Sequence, residues 1–146
     1  MKTNRASDAS MPQAQAASGY AGDVAPRRAW QWVQAGEAVL IDVRSDAERE
    51  WVGYVPGAIG LAWKQWPGMV MNAAFDEQLK AAVPNGKKVV MMCRSGVRSV
   101  AAARRATELG LEAYNILEGF EGDADAEGQR GRQGGWRLAG LPWRQT

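Results

Sequence analysis

The chain has a single cysteine, and the residues after it are the ones whose types and spacing suit chemistry: Cys93-Arg94-Ser95-Gly96-Val97-Arg98-Ser99. Cys93 follows an apolar run, Val89-Val90-Met91-Met92, that reads as a strand. Ser99 opens an Ala- and Arg-rich stretch that reads as a helix over 99–109, closed by Gly110. A thiol between a strand end and a helix start meets unpaired N–H groups and the positive end of the helix dipole. A loop containing Gly96 can curl its own amides inward as an anion nest, and Arg94 and Arg98 add full positive charges. All of these favour the thiolate, which is the nucleophile, and they also form a receptor for a small anionic substrate. A lone cysteine after an apolar strand is most often an inert core residue. The two arginines, the serine and the glycine turn this one toward a reactive thiol.

Composition removes the competing chemistries. With no histidine there is no Ser-His-Asp triad, no Cys-His protease pair and no histidine metal site. With one cysteine there is no internal disulfide, zinc finger or intramolecular dithiol couple. A net charge of +2 predicts no general attraction to nucleic acid. That small sum conceals an asymmetry. Lys87, Lys88, Arg94, Arg98, Arg104 and Arg105 lie in a stretch, 87–107, with no acid, and the rest of the chain carries twelve cations against sixteen acids. The sequence therefore predicts a positive field around the cysteine.

The elements that must position this loop follow from the hydrophobic pattern. At 146 residues the chain is one domain. Residues 1–19 are Ala-, Ser- and Gln-rich and are expected to be a disordered tail, leaving a domain over 20–146. They contain no apolar core of a signal peptide, and no stretch is long and apolar enough for a membrane span, so a reduced thiol in the cytoplasm is expected. Pro26 starts a helix that Gly36 ends. Residues 38–43 read as a buried strand, and Ser45 with Glu48 has the spacing of a capping box for a helix over 46–52. A short strand over 58–61, a helix over 75–83, strands over 89–92 and 113–117, and a last helical turn over 136–140 complete the pattern. Alternating strands and helices imply an α/β sandwich, a parallel sheet covered on both faces, with ligands bound at the carboxyl ends of the strands.

The Cys93–Ser99 heptad resembles the active-site loop of the rhodanese-like sulfurtransferases. Leu40-Ile41-Asp42-Val43-Arg44 with Glu48 resembles the first-strand signature of that family. Gly53-Tyr54-Val55-Pro56-Gly57-Ala58-Ile59 resembles its second motif, where many members carry histidine at the position of Tyr54. Leu117-Glu118-Gly119-Phe120 and the stretch from Gly135-Trp136 to Pro142 resemble its C-terminal end. The resemblance implies a three-layer sandwich around a parallel sheet of four to five strands. It implies that Cys93 takes sulfane sulfur from thiosulfate or a similar donor as a persulfide and passes it to cyanide, a cellular thiol or a protein acceptor. The amides of Arg94, Ser95, Gly96, Val97, Arg98 and Ser99 would cradle the persulfide, and Arg94 and Arg98 would hold the donor's charge. No metal or organic cofactor is implied. A monomer is expected for so small a domain.

Two other activities are compatible with such a resemblance. Phosphatase and arsenate-reductase relatives place five residues between their cysteine and arginine; here Cys93 and Arg98 have four between them, which suits a single sulfur atom better than a tetrahedral oxyanion. Rhodanese-like domains also serve as non-catalytic sulfur carriers, sensors or interaction modules. Asp42, Arg44 and Glu48 read as a structural ion-pair group near the site. Trp63, Trp66 and Trp136 are candidates for the pocket mouth, although tryptophan more often serves packing. The glycine-rich stretch over 121–133 reads as a mobile surface insertion or as a flap that selects the acceptor.

Overall fold

In the strands, side chains alternate between two separately buried faces, and that alternation explains the unbroken apolar runs. The computed structural model describes residues 14–145. Its elements are β1 (Gly22–Val24), α1 (Pro26–Gln34), β2 (Ala38–Asp42), α2 (Asp46–Trp51), β3 (Ile59–Gly60), β4 (Lys64–Gln65), β5 (Val70–Met71), α3 (Phe75–Ala82), β6 (Lys88–Met92), α4 (Val97–Glu108) and β7 (Ala113–Ile116). Five strands form one parallel sheet in the order β1-β7-β6-β2-β3, and β4 and β5 form a separate antiparallel pair. The α/β sandwich expected from the sequence is the fold observed.

Ile41, Val89, Met91 and Cys93 face the layer of α3 and α4, where they meet Phe75, Leu79, Ala102, Ala103 and Ala106. Leu40, Val90 and Met92 face the other way, toward Ala29 and Trp32 of α1 and toward Phe120, Trp136 and Leu141. The small alanines let α4 pack closely over the centre of the sheet. No helix among the described residues is long and apolar enough to cross a membrane.

Some expectations change. The helix after the cysteine starts at Val97, two residues earlier than expected, because Gly96 takes φ 128° and acts as its N-cap. β1 and the β4–β5 pair were not anticipated: at two or three residues they are too short to show a period. Residues 136–140 form turns rather than a helix. The first thirteen residues of the expected tail lie outside the described residues, whereas Gln15 exchanges two 2.8 Å backbone hydrogen bonds with Asp23. The glycine-rich segment carries hydrogen bonds of its own. Asp123 and Gln133 bridge, Gly131 N–H donates to Glu121 O at 3.0 Å, and Arg130 donates to Gly122 O at 2.7 Å.

Candidate active site

The register of the sheet gathers the polar residues at one end. Asp42 pairs with Met92 and with Gly60, Asn115 with Met91, and Asp23 with Asn115. Cys93 is the next residue past this row, 1% exposed, and the loop turns there into α4. The Gly96 N–H donates to Cys93 Sγ at 3.1 Å, so a loop amide does face the sulfur as the sequence suggested. The Ser99 hydroxyl lies 3.3 Å from Sγ. Ser95 is half-buried and Val97, at 81% exposed, points away from the packed side of the loop.

A second turn holds the loop backbone from outside. Phe120 N–H donates to Cys93 O at 2.8 Å and Glu121 N–H to Arg94 O at 3.0 Å. Gly119, just before these two donors, has φ 62°, and an added Cβ there would lie 2.5 Å from Cys93 O. With its carbonyls held outward, the loop is free to turn an amide inward.

The arginines divide their roles. Arg98 makes a bidentate pair with Glu48, at 2.6 and 2.8 Å. The same Glu48 completes the capping box of α2, accepting from Ser45 N–H at 3.1 Å and Ser45 Oγ at 2.9 Å. Burial pushes the Glu48 carboxyl up, but the Arg98 hydrogen bonds and charge and the Ser45 donors outweigh it and hold it at about 2. Glu48 in turn raises Arg98 above the ordinary arginine value, against burial, and keeps it charged. The guanidinium of Arg94 is exposed and has no hydrogen-bond or ion-pair partner among the described residues.

Of the three residues read as one ion-pair group, Asp42 and Arg44 form a fully buried pair at 2.7 Å, whereas Glu48 pairs with Arg98 instead. Arg44 also donates to Gly53 O at 2.7 Å and stacks over the Phe120 ring at 4.2 Å. The positive field is also corrected: Lys88 is matched by Glu37, Arg98 by Glu48, and Arg105 by Asp76 and Glu108, all from outside the basic stretch or at its edge.

Arg94 and Arg98 enter the wall of a cleft of about 560 Å³ that α2 lines with Glu48 and Trp51, and the β4–β5 turn with Trp66 and Met69. Of the three tryptophans singled out from the sequence, Trp66 lines this cleft, Trp63 packs edge-on to Phe75, and Trp136 is fully buried against Trp30. Trp51 and Met69 were missed, since a cleft wall drawn from four separate segments leaves no local pattern, while Glu121, first residue of the stretch read as insertion or flap, lines the cleft. Asn115 and Asp23 were missed too, although a polar residue at an inward strand position is a readable signal.

The family model of the Rhodanese-like domain matches residues 25–126, a span that begins just before α1 and contains the loop, the capping box and the buried pair. The chain belongs to the rhodanese-like family. It is 31% identical to the thiosulfate sulfurtransferase GlpE of Actinobacillus succinogenes over 121 residues, covering 82% of this chain and 87% of that protein. It is 32% identical to the uncharacterized protein RC0915 of Rickettsia conorii, over 73% of this chain and 82% of that one. Among solved structures it is similar to Rv0390 from M. tuberculosis, with 44% identity and a TM-score of 0.79, over 87% of this chain and 99% of that one. In this rhodanese-like domain the loop, the turn that holds it and the cleft beside it lie together at the carboxyl end of the sheet.

Proposed function

We propose that this rhodanese-like domain is a sulfurtransferase that moves sulfane sulfur from thiosulfate, or a similar anionic donor, to a thiophilic acceptor through a persulfide on Cys93. The Cys93 thiolate attacks the outer sulfur of thiosulfate. Its S–S bond forms as the donor's S–S bond breaks, and sulfite leaves with the electron pair. A second nucleophile, cyanide or a thiolate, then takes the outer sulfur and returns Cys93 as thiolate. Among the described residues no second cysteine exists, and the sequence has none, so the persulfide cannot resolve into an internal disulfide.

The observation that carries this reading is the Gly96 N–H aimed at Cys93 Sγ in a loop whose Arg94 and Arg98 enter the cleft wall. Arg98 is pinned by Glu48, so Arg94 is the arginine left to meet the donor's charge. The amides of Ser95, Val97 and Ser99 complete the loop that receives the outer sulfur. The donor is then a small anion, the acceptor a thiol, cyanide or a protein thiol, and the expected compartment the cytoplasm, with the protein a monomer.

Incubation with thiosulfate adds the mass of one sulfur atom to the intact protein, and Cys93→Ser abolishes that gain. Sulfur gained by the serine variant overturns the assignment to Cys93. Turnover of thiosulfate and cyanide separates the enzyme from a sulfur carrier or interaction module, which loads without turning over. Hydrolysis of an aryl phosphate by the unmodified protein would instead support the phosphatase reading.

A further inference from the structure

Behind Cys93, on the side away from the cleft arginines, a chain of hydrogen bonds crosses three elements. Tyr20 Oη donates to Asp23 Oδ1 at 2.8 Å, and Asn115 Nδ2 donates to the same oxygen at 3.0 Å. Ser99 Oγ lies 2.6 Å from Asn115 Oδ1 and 3.3 Å from Cys93 Sγ. Asn115 is 4% exposed, Ser99 0% and Cys93 1%, so solvent supplies none of these partners. The direction of every proton in the chain follows from donor chemistry. A carboxylate only accepts, so the Asn115 amide must turn its NH₂ to Asp23 and its carbonyl oxygen to Ser99. That oxygen also only accepts, so the single Ser99 proton goes to it. The other oxygen within reach of Ser99 is Gly96 O at 3.2 Å, which again only accepts. The Ser99 hydroxyl therefore turns a lone pair toward sulfur.

We infer that Asp23, Asn115 and Ser99 are positioning residues that fix the direction of the Ser99 hydroxyl, so that it accepts a hydrogen bond from the Cys93 thiol instead of donating one to the thiolate. The chain and the Gly96 N–H thus present opposite ends of a hydrogen bond to Sγ: the amide donates to it and the hydroxyl accepts from it. The inference rests on Cys93 being the reacting thiol of the proposed sulfurtransferase. Its readout is ionisation of that thiol, so it stands or falls independently of whether sulfur is transferred.

Of the other charged groups near this end of the sheet, Glu121 of the turn that holds the loop lies 4.0 Å from Arg137. Arg98 is paired with Glu48, Asp42 with Arg44 and Arg49, and Asp76 of α3 with Arg105, while Arg94 is exposed at the cleft. Among the described residues, only Gly96 N–H and Ser99 Oγ hydrogen-bond Sγ.

The test is the pH midpoint of alkylation by iodoacetamide, followed by intact mass; one cysteine in the chain leaves no background. Ser99→Ala removes the hydrogen-bond acceptor of the thiol and is expected to move the midpoint down by about one pH unit, the size of one hydrogen bond. A midpoint that rises or stays overturns the inference, because a hydroxyl that donates to the thiolate would give a rise. Ser99→Thr keeps the hydroxyl and its partner and is expected to keep the parent midpoint. Asn115→Leu frees the Ser99 proton to turn to sulfur and also lowers the midpoint, but has no effect when Ser99 is already alanine. An equal shift from Asn115→Leu in both backgrounds overturns the role given to Asn115. Should Asn115→Leu fail to fold, the sign of the Ser99→Ala shift still decides.

Discussion

Losing either Asp42 or Arg44 would strand a buried charge beside the site. Both side chains are fully buried, and Arg44 Nε and Nη2 grip both carboxylate oxygens at 2.7–3.3 Å. Arg44 Nη1 is left without a hydrogen bond. A buried pair of this kind adds little net stability, because desolvation consumes most of the Coulomb gain, but losing one partner leaves an uncompensated buried charge. Asp42→Ala is therefore expected to cost about 3–5 kcal/mol in urea unfolding. A cost under about 1 kcal/mol would show that Arg44 finds another partner or water. The pair spans the end of β2 and reaches Gly53 O and the Phe120 ring, so its loss is felt on both sides of the loop.

At the scale of elements, the site is a loop held from two directions. From one side, the capping box of α2 supplies Glu48 to Arg98, so the start of one helix is tied to the start of another. Glu48 ionises at about 2 when folded, below its ordinary 4.5. A depressed carboxyl contributes stability that is fully present above its unfolded value and lost as pH falls through its folded one. Stability is thus expected to decline between about pH 4.5 and 2, and Glu48→Gln is expected to flatten that decline. An unchanged acid limb in Glu48→Gln would show that the pair contributes no pH-dependent stability. From the other side, the turn at Gly119 holds Cys93 O and Arg94 O. Gly119→Ala adds a Cβ at positive φ and drives it into the Cys93 carbonyl. A loop displaced by a few tenths of an ångström to 1 Å is expected to slow sulfur loading by up to about 10²-fold, measured by mass after thiosulfate. Loading at the parent rate would show that the turn is not needed to shape the loop.

For the whole molecule, the glycine-rich insertion is separable from both core and cleft. None of residues 123–133 is buried, and Glu121 alone of the 121–133 stretch lines the cleft. Its two ends are close, since a Cβ on Gly135 would lie 2.6 Å from Gly122 N. Excising 123–133 shortens a loop without removing core contacts, so the thermal midpoint is expected to stay within a few degrees and sulfur gain at Cys93 to persist. Loss of loading would return the segment to the site. A changed preference among thiol acceptors with loading intact would support the flap reading over the surface-insertion one.

The sequence alone determined the class of fold, the place of the cysteine loop between strand and helix, and the capping box. Each is written locally: an apolar run, a glycine beside charges, a serine three residues from a glutamate. Which charges cancel was decided only by tertiary structure, because Arg98 meets its acid fifty residues away and Arg105 meets Asp76 across α3. The hydrogen-bond chain behind Cys93 was likewise settled by the register of parallel strands. That register sets Asp23 beside Asn115, and Asn115 beside Met91, two residues before Cys93 on the same face. Parallel strands are joined by long crossovers, so neighbours in the sheet are distant in the chain and carry no sequence spacing that could announce them.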